Sequence, residues 1–157
     1  QKPFAILDLG RKFVINVKGE IFKEMDASDP VSLPVISGLE FADINVRGKS
    51  RSIPYKAVMN ILELGQKPDS IIPIKLINRI HVDREIGLTV YALDNIKAIK
   101  IGYDNYTDKY AKLKNVLLFI EKRDGFSHLE SIDLNNLNRI VINPIRIDSP
   151  AEEHKEV

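Results

Sequence analysis

Short apolar runs over residues 4–9, 12–17 and 20–22 are separated by turns that carry Gly10 and Gly19. Glycine adopts positive φ at little cost, so the pattern predicts a small β-meander. Residues 23–38 hold two prolines and several turn formers, and predict a connection running over the surface. A helix is predicted over 53–64: Ser52 can cap its free amides, Pro54 fits its first turn, Val58, Ile61 and Leu62 recur on one side, and Gly65 ends it. The runs "IKLINRIHV", "LTVYAL" and "IKAIKI" follow with short connections, as in a three-stranded antiparallel meander.

The period then changes. In "TDKYAKLKNVLLFIEKR" the residues Tyr110, Leu113, Leu117 and Ile120 form a helical stripe, with Thr107 as the expected cap. A last hairpin, "HLESIDLNNLNRIVINP", closes the pattern, and residues 149–157 read as a solvated, disordered tail. The fold class expected is α+β, a mixed, largely antiparallel β-sheet with two main helices.

Length and composition narrow the function. The 157 residues, 44% of them hydrophobic, support one sizeable core. The 23 Lys and Arg nearly balance the 22 Asp and Glu, so no overall basic field exists to hold nucleic acid. Cysteine is absent, which excludes disulfides and thiolate metal sites. No apolar run approaches the roughly 20 residues that span a bilayer. The chain opens on Gln1 in mid-strand, without the charged and apolar regions of a signal peptide, and reads as a fragment whose anchor or targeting segment would lie upstream.

Catalytic patterns fail one by one. "RGKS" resembles the end of a phosphate-binding loop, yet the position needed for its first glycine is Asp43. His81 and Asp83 share one face of a strand, too few groups for a metal site or a triad. No serine lies in a G-x-S-x-G context. Tyr103, Tyr106 and Tyr110 have the spacing of core and rim packing around a helix entry. No catalytic, cofactor or metal site is expected, and no small-molecule substrate, which leaves a binding module.

The order of elements resembles the extracytoplasmic β domain of the FtsQ/DivIB family of bacterial cell-division proteins. The resemblance rests on "KPFAIL…VKGEIF", "LPVISG", the helix over 53–64, "VDREIGLTVYA", "IKIG" before a Lys-rich helix, and "IDLNNLNRIVINP". It implies that residues 1–9 end a preceding POTRA domain, a small interaction module. Residues 10–148 would form the β domain, and 149–157 its tail. A single upstream helix would anchor the whole protein in the cell membrane, with this domain on the periplasmic side at the division septum.

By the same resemblance the chain is a scaffold that binds small bitopic division proteins of the FtsB and FtsL type, with no cofactor. The family's last strand accepts a strand from the FtsB-type partner, which places the contact here on Arg139, Ile140, Val141, Ile142 and Asn143. Asp133 and Leu134 match a D-L-R-like strand in which Asn135 replaces the Arg. Asn143 and Pro144 stand where some members carry an aromatic residue. An unrelated extracytoplasmic α+β adaptor is the alternative reading, and an internal position for residues 139–143 is the alternative to an open edge.

Overall fold

The computed structural model describes residues 2–30, 32–44, 51–123 and 127–145. Among these residues nine strands form one sheet: β1 (Ala5–Asp8), β2 (Lys12–Ile15), β3 (Ile21–Glu24), β4 (Val35–Ser37), β5 (Ile77–Asp83), β6 (Gly87–Ala92), β7 (Ile96–Gly102), β8 (Leu129–Asp133) and β9 (Val141–Pro144). Their spatial order is β3-β2-β1-β4-β5-β6-β7-β8-β9. The β1–β4, β4–β5 and β7–β8 pairs are parallel and the other five antiparallel, which makes the sheet mixed and largely antiparallel as expected.

The helices are α1 (Phe41–Ile44), α2 (Ile53–Gly65) and α3 (Tyr106–Glu121), with a 3-10 turn at Ile74–Leu76. Ser52 caps α2 as predicted, its Oγ accepting the Tyr55 N–H at 3.2 Å. The predicted Thr107 cap of α3 is corrected. Asn105 holds that place in the left-handed region (φ 53°) with no side-chain cap bond, and Thr107 lies inside the first turn. Leu113, Val116 and Ile120 are buried on the sheet side, and Leu117 is only partly so.

The segment expected to be surface connection contains β4, which lies inside the sheet between β1 and β5. Three residues are too few for a period to show in sequence, yet both edges of β4 are paired and Ile36 is fully buried. Gly38 ends this strand at φ +93°, and a Cβ there would fall 2.0 Å from the Val82 carbonyl oxygen. Only glycine tolerates that approach.

One apolar row ties the sheet together. Leu7, Ile36, Ile80, Val90, Ile99, Ile132 and Ile142 stand side by side on seven successive strands. They belong to the core, shared with α2 and α3, that Ile142 borders as a partly buried member. The other face carries the exposed Arg79, His81, Lys100 and Asn143 on alternate positions. At its β1 end Ile6 and Val14 are buried, where the chain between β3 and β4 crosses back. Lys23, in register with Val14, pins that crossing through Asp29 at 3.0 Å. Among the described residues no helix is long and apolar enough to cross a membrane.

Candidate functional site: the edge strand

Among the described residues β9 pairs only with β8 and is the last strand of the sheet. It spans Val141–Pro144, so Ile140 and Arg139 precede it. Arg139 belongs to the turn from β8, where its N–H reaches the Asn136 carbonyl at 3.0 Å and the Asn136 side chain accepts the Asn138 N–H at 2.9 Å. This Asx-type turn leaves Arg139 and Ile140 outside the strand. Of the five residues the family resemblance singles out, Val141, Ile142 and Asn143 thus stand on the strand.

The hydrogen-bond direction along β9 follows from one contact. Ile145 donates its N–H to the His128 carbonyl at 3.3 Å, toward β8. Backbone groups alternate in direction along an antiparallel strand, and the register shift between Leu129 and Ser131 lies on β8 rather than β9. Val141 and Asn143 therefore point their N–H and C=O inward to Asp133 and Ser131. Ile142 and Pro144 point theirs outward, and proline has no N–H to offer. Within the strand the free edge presents the Ile142 N–H as its donor and the Ile142 and Pro144 carbonyls as acceptors.

Side chains alternate across the sheet. Ile142 lies opposite Ile132 on the core side, while Asn143 Nδ2 donates to Ser131 Oγ at 3.0 Å on the open face. Val141 is 39% exposed, a large apolar surface for an edge residue. Val141–Pro144 itself carries no charge; Arg139 and Arg146 flank it in the sequence, the latter outside the described residues, and within the strand only Pro144, at its end, is of the kind that commonly blocks strand addition.

Behind this edge, two polar contacts fix the strands. Lys109 on α3 is buried and donates from Nζ to the carbonyls of Ile101 (2.7 Å) and Tyr103 (2.8 Å) at the end of β7. Burial pushes its pKa down, with Asp104 and Asp133 opposing that change. Asp133 Oδ1 accepts from both the backbone and side-chain N–H groups of Asn135 at 2.9 Å, closing the strand end. Asn135 is thus a turn residue in the place of the family's common Arg, and Leu134 beside it is fully buried.

The other residues singled out by sequence do not converge. His81 Nδ1 lies 2.9 Å from Ser37 Oγ on the open face, and Asp83 Oδ1 instead accepts the N–H groups of Glu85 and Ile86 in the next turn. Those two amides, more than any cation, hold the Asp83 pKa low. Tyr110 is buried, and Tyr103 donates its hydroxyl to the Asp83 and Arg84 carbonyls. Arg47, Lys49, the "RGKS" run and the tail lie outside the described residues. Arg51 packs over the Tyr55 ring and donates to the Lys18 carbonyl at 2.7 Å.

A cleft of about 620 Å³ opens between the β2–β3 turn and the end of α2, lined by Phe4, Asn16, Val17, Lys18, Glu20 and Gln66 among others. It adjoins the β1–β3 end of the sheet, far in strand order from β9. Its described lining includes no hydroxyl or imidazole side chain.

Asp43, which in the sequence only disqualifies a phosphate-binding loop, is a buried ionic centre of the fold. Its carboxylate is buried and takes both ends of the Arg84 guanidinium, at 2.8 and 2.9 Å, together with the Glu40 N–H at 2.7 Å. Burial alone would raise its pKa; Arg84, the Glu40 amide and Ser52 outweigh that and bring it down to about 2.

Comparison with known proteins places this fold. The family profile "Cell division protein FtsQ/DivIB, C-terminal" matches residues 5–135, which takes in β1 to β8 and stops before β9. The cell division protein FtsQ of Geotalea daltonii is 26% identical over 147 residues, covering 92% of this chain and 52% of the relative. That of Anaeromyxobacter is 27% identical over 139 residues, covering 88% and 46%. That of Syntrophotalea carbinolica is 24% identical over 142 residues, covering 89% and 49%. The chain spans about half the length of the curated relatives it matches. With most of its residues inside the family profile, the chain belongs to the FtsQ/DivIB family of cell division proteins.

Proposed function

We propose that this chain is a non-enzymatic scaffold of the division machinery, and that it binds small bitopic proteins of the FtsB and FtsL type by accepting an extended segment on β9. The observation that carries the reading is the outward-facing Ile142 backbone on the last strand of the sheet. An unpaired edge is a liability in solution, and β-augmentation satisfies its free groups while alternating side chains supply selectivity. Ile142 would give the incoming strand backbone bonds. Val141 and Asn143 would contact it from the open face, and Arg139 and Ile140 from the strand entry.

The reading includes an upstream membrane helix and an extracytoplasmic position at the septum. Residues 1–9 would end a POTRA module, with the β domain over 10–148 and a tail after it. The relatives' length, about twice the part matched, accommodates such additions. The test is to mix this chain with the extracytoplasmic segments of the FtsB-type and FtsL-type proteins from the same genome and follow them by size-exclusion chromatography. A stable complex is expected; independent elution at concentrations well above micromolar would sink the reading.

A further inference from the structure

We propose that the outward face of α3 is a docking surface for an anionic lipid membrane, with Leu118 and Phe119 entering the headgroup layer and four cations around them meeting the lipid phosphates. The helix turns about 100° per residue, and Lys109, Leu113, Val116 and Ile120 form its buried stripe. Ala111, Asn115 and Lys122 fall on the line opposite that stripe, and all three are exposed. Leu118 stands to one side of this line and Phe119 to the other, 51% and 49% exposed. Neither side chain belongs to the core.

Exposed cations surround the pair. Lys114 and Lys122 lie one turn before and after Leu118, Arg123 follows Phe119 by one turn, and Lys112 precedes it by two. The Arg123 guanidinium lies 4.3 Å from the centre of the Phe119 ring, so apolar surface and positive charge are presented together. Residues 111–123 hold these four cations against one carboxylate, Glu121, in a chain whose 23 Lys and Arg nearly balance 22 Asp and Glu. Asp124, next in the sequence, lies outside the described residues. The helix dipole favours Lys122 and Arg123 at the C-terminal end, and has no such effect on Lys112 and Lys114 in the middle.

The arrangement of the face fits a membrane better than a second protein. A helix that docks in a groove or a coiled coil repeats its apolar residues at i, i+3, i+4 and i+7 along one line. Leu118 and Phe119 are neighbours about 100° apart, and the exposed positions one turn before and after them are Lys114, Asn115, Lys122 and Arg123. No apolar line forms, whereas a fluid headgroup layer receives both side chains at once. The lysine stems lie along apolar surface while their ammonium groups reach the phosphates. Binding of this kind is weak, half-saturated at about millimolar anionic lipid, and salt screens it. Under the scaffold reading an upstream anchor would hold the face near lipid, where such an affinity is enough. The docking itself does not rest on that reading.

Co-sedimentation of the full chain with vesicles of phosphatidylcholine, alone or with about 30% phosphatidylglycerol, tests the proposal at about 50 mM and about 500 mM salt. Binding is expected only to the anionic vesicles, and should fall at least about fivefold at the higher salt. Leu118→Ser with Phe119→Ser, and separately Lys114→Glu with Lys122→Glu, should each lose at least about fivefold at low salt. Their melting temperatures should stay near wild type, because all four side chains are exposed. Lys56→Glu with Lys67→Glu, the same change in charge at exposed positions on and just after α2, should keep most of the binding. The chain has no cysteine, so a polarity-sensitive dye on Asn115→Cys reports this face alone. Its emission should shift to the blue with anionic vesicles, and that of the same dye on Lys56→Cys should not. No binding at about 5 mM lipid, equal losses in the two charge variants, or full binding by the Leu118→Ser, Phe119→Ser variant overturns the proposal. So does loss of the FtsB-type and FtsL-type segments by that variant when the unaltered chain ignores vesicles, which would make the face a protein site. If a double variant unfolds, the dye decides alone. Failure of the β9 reading would leave vesicle binding intact.

Discussion

Asp43 and Arg84, far apart in sequence, form a two-pronged ion pair that ties α1 to the β5–β6 turn, with bonds of 2.8 and 2.9 Å. The Asp43 side chain is 1% exposed and that of Arg84 49%. Removing the cation strands a buried charge, which is more damaging than losing an exposed pair. Arg84→Ala is expected to lower the denaturation midpoint, by less than a fully buried pair would because solvent reaches Arg84. Urea denaturation measures it; a midpoint equal to wild type would show that the Glu40 amide and Ser52 suffice.

The same carboxylate sets an acid limit. Its folded pKa, lowered to about 2, lies below the unfolded value of 3.8. A depressed carboxylate stabilises the fold above the unfolded pKa and loses that contribution as pH falls through the folded one. Stability should therefore decline between about pH 4 and pH 2, by roughly 2 kcal/mol from this group. Asp43→Asn should be less stable at pH 7 and fall less steeply over that window. Parallel slopes for the two proteins would assign the acid transition elsewhere.

Two buried tyrosines predict opposite outcomes. Tyr55 donates its hydroxyl to the Gly19 carbonyl and holds the β2–β3 turn against α2. Tyr110 is buried as well, and its hydroxyl has no partner among the described residues. Burial raises both pKa values, that of Tyr55 to about 12. A made buried hydrogen bond contributes about 1 kcal/mol, and an unmade one only costs. Tyr55→Phe should lower the melting temperature, and Tyr110→Phe should leave it unchanged or raise it. The reverse order would contradict the assignment.

Lys109 gives a sharper loss. Replacing it by Met keeps most of the volume but leaves the Ile101 and Tyr103 carbonyls without their donor. Unsatisfied buried acceptors cost about 1–3 kcal/mol each. Lys109→Met is expected to destabilise by about 2 kcal/mol or more on chemical denaturation, whereas Lys112→Met, at an exposed site on the same helix, should change little. Equal effects would mean that the buried ammonium is not what holds the end of β7.

Much of this fold is legible from residues. The α2 helix shows through Ser52, Pro54 and its apolar positions, and β5 to β7 through their alternation. β4 does not show, since Val35, Ile36 and Ser37 form no period and the strand exists because β1 and β5 flank it. Asp43 reads as one more charge in a polar stretch; its burial depends on Arg84 across the fold. The last strand shows in "RIVINP", but its place at the edge is a property of strand order. Which of its amides face outward depends on Ile145 reaching His128, a contact with no trace in the sequence.

An incoming strand is expected to bond to the outward backbone of β9, and a proline scan through Ile140, Val141, Ile142 and Asn143 tests this most directly. Proline removes one N–H at a time and is tolerated in a strand only where that N–H faces away from the neighbour. Val141→Pro and Asn143→Pro are expected to unfold or lose most stability, since their amides bond β8. Ile140→Pro and Ile142→Pro should fold, with melting temperatures close to those of the Ala variants that lose the same core-side contacts, and Ile142→Pro should lose binding to the FtsB-type segment by at least about tenfold, while Ile142→Ala, which keeps the N–H, loses less. A folded Ile142→Pro that binds at full strength would contradict strand addition at this edge.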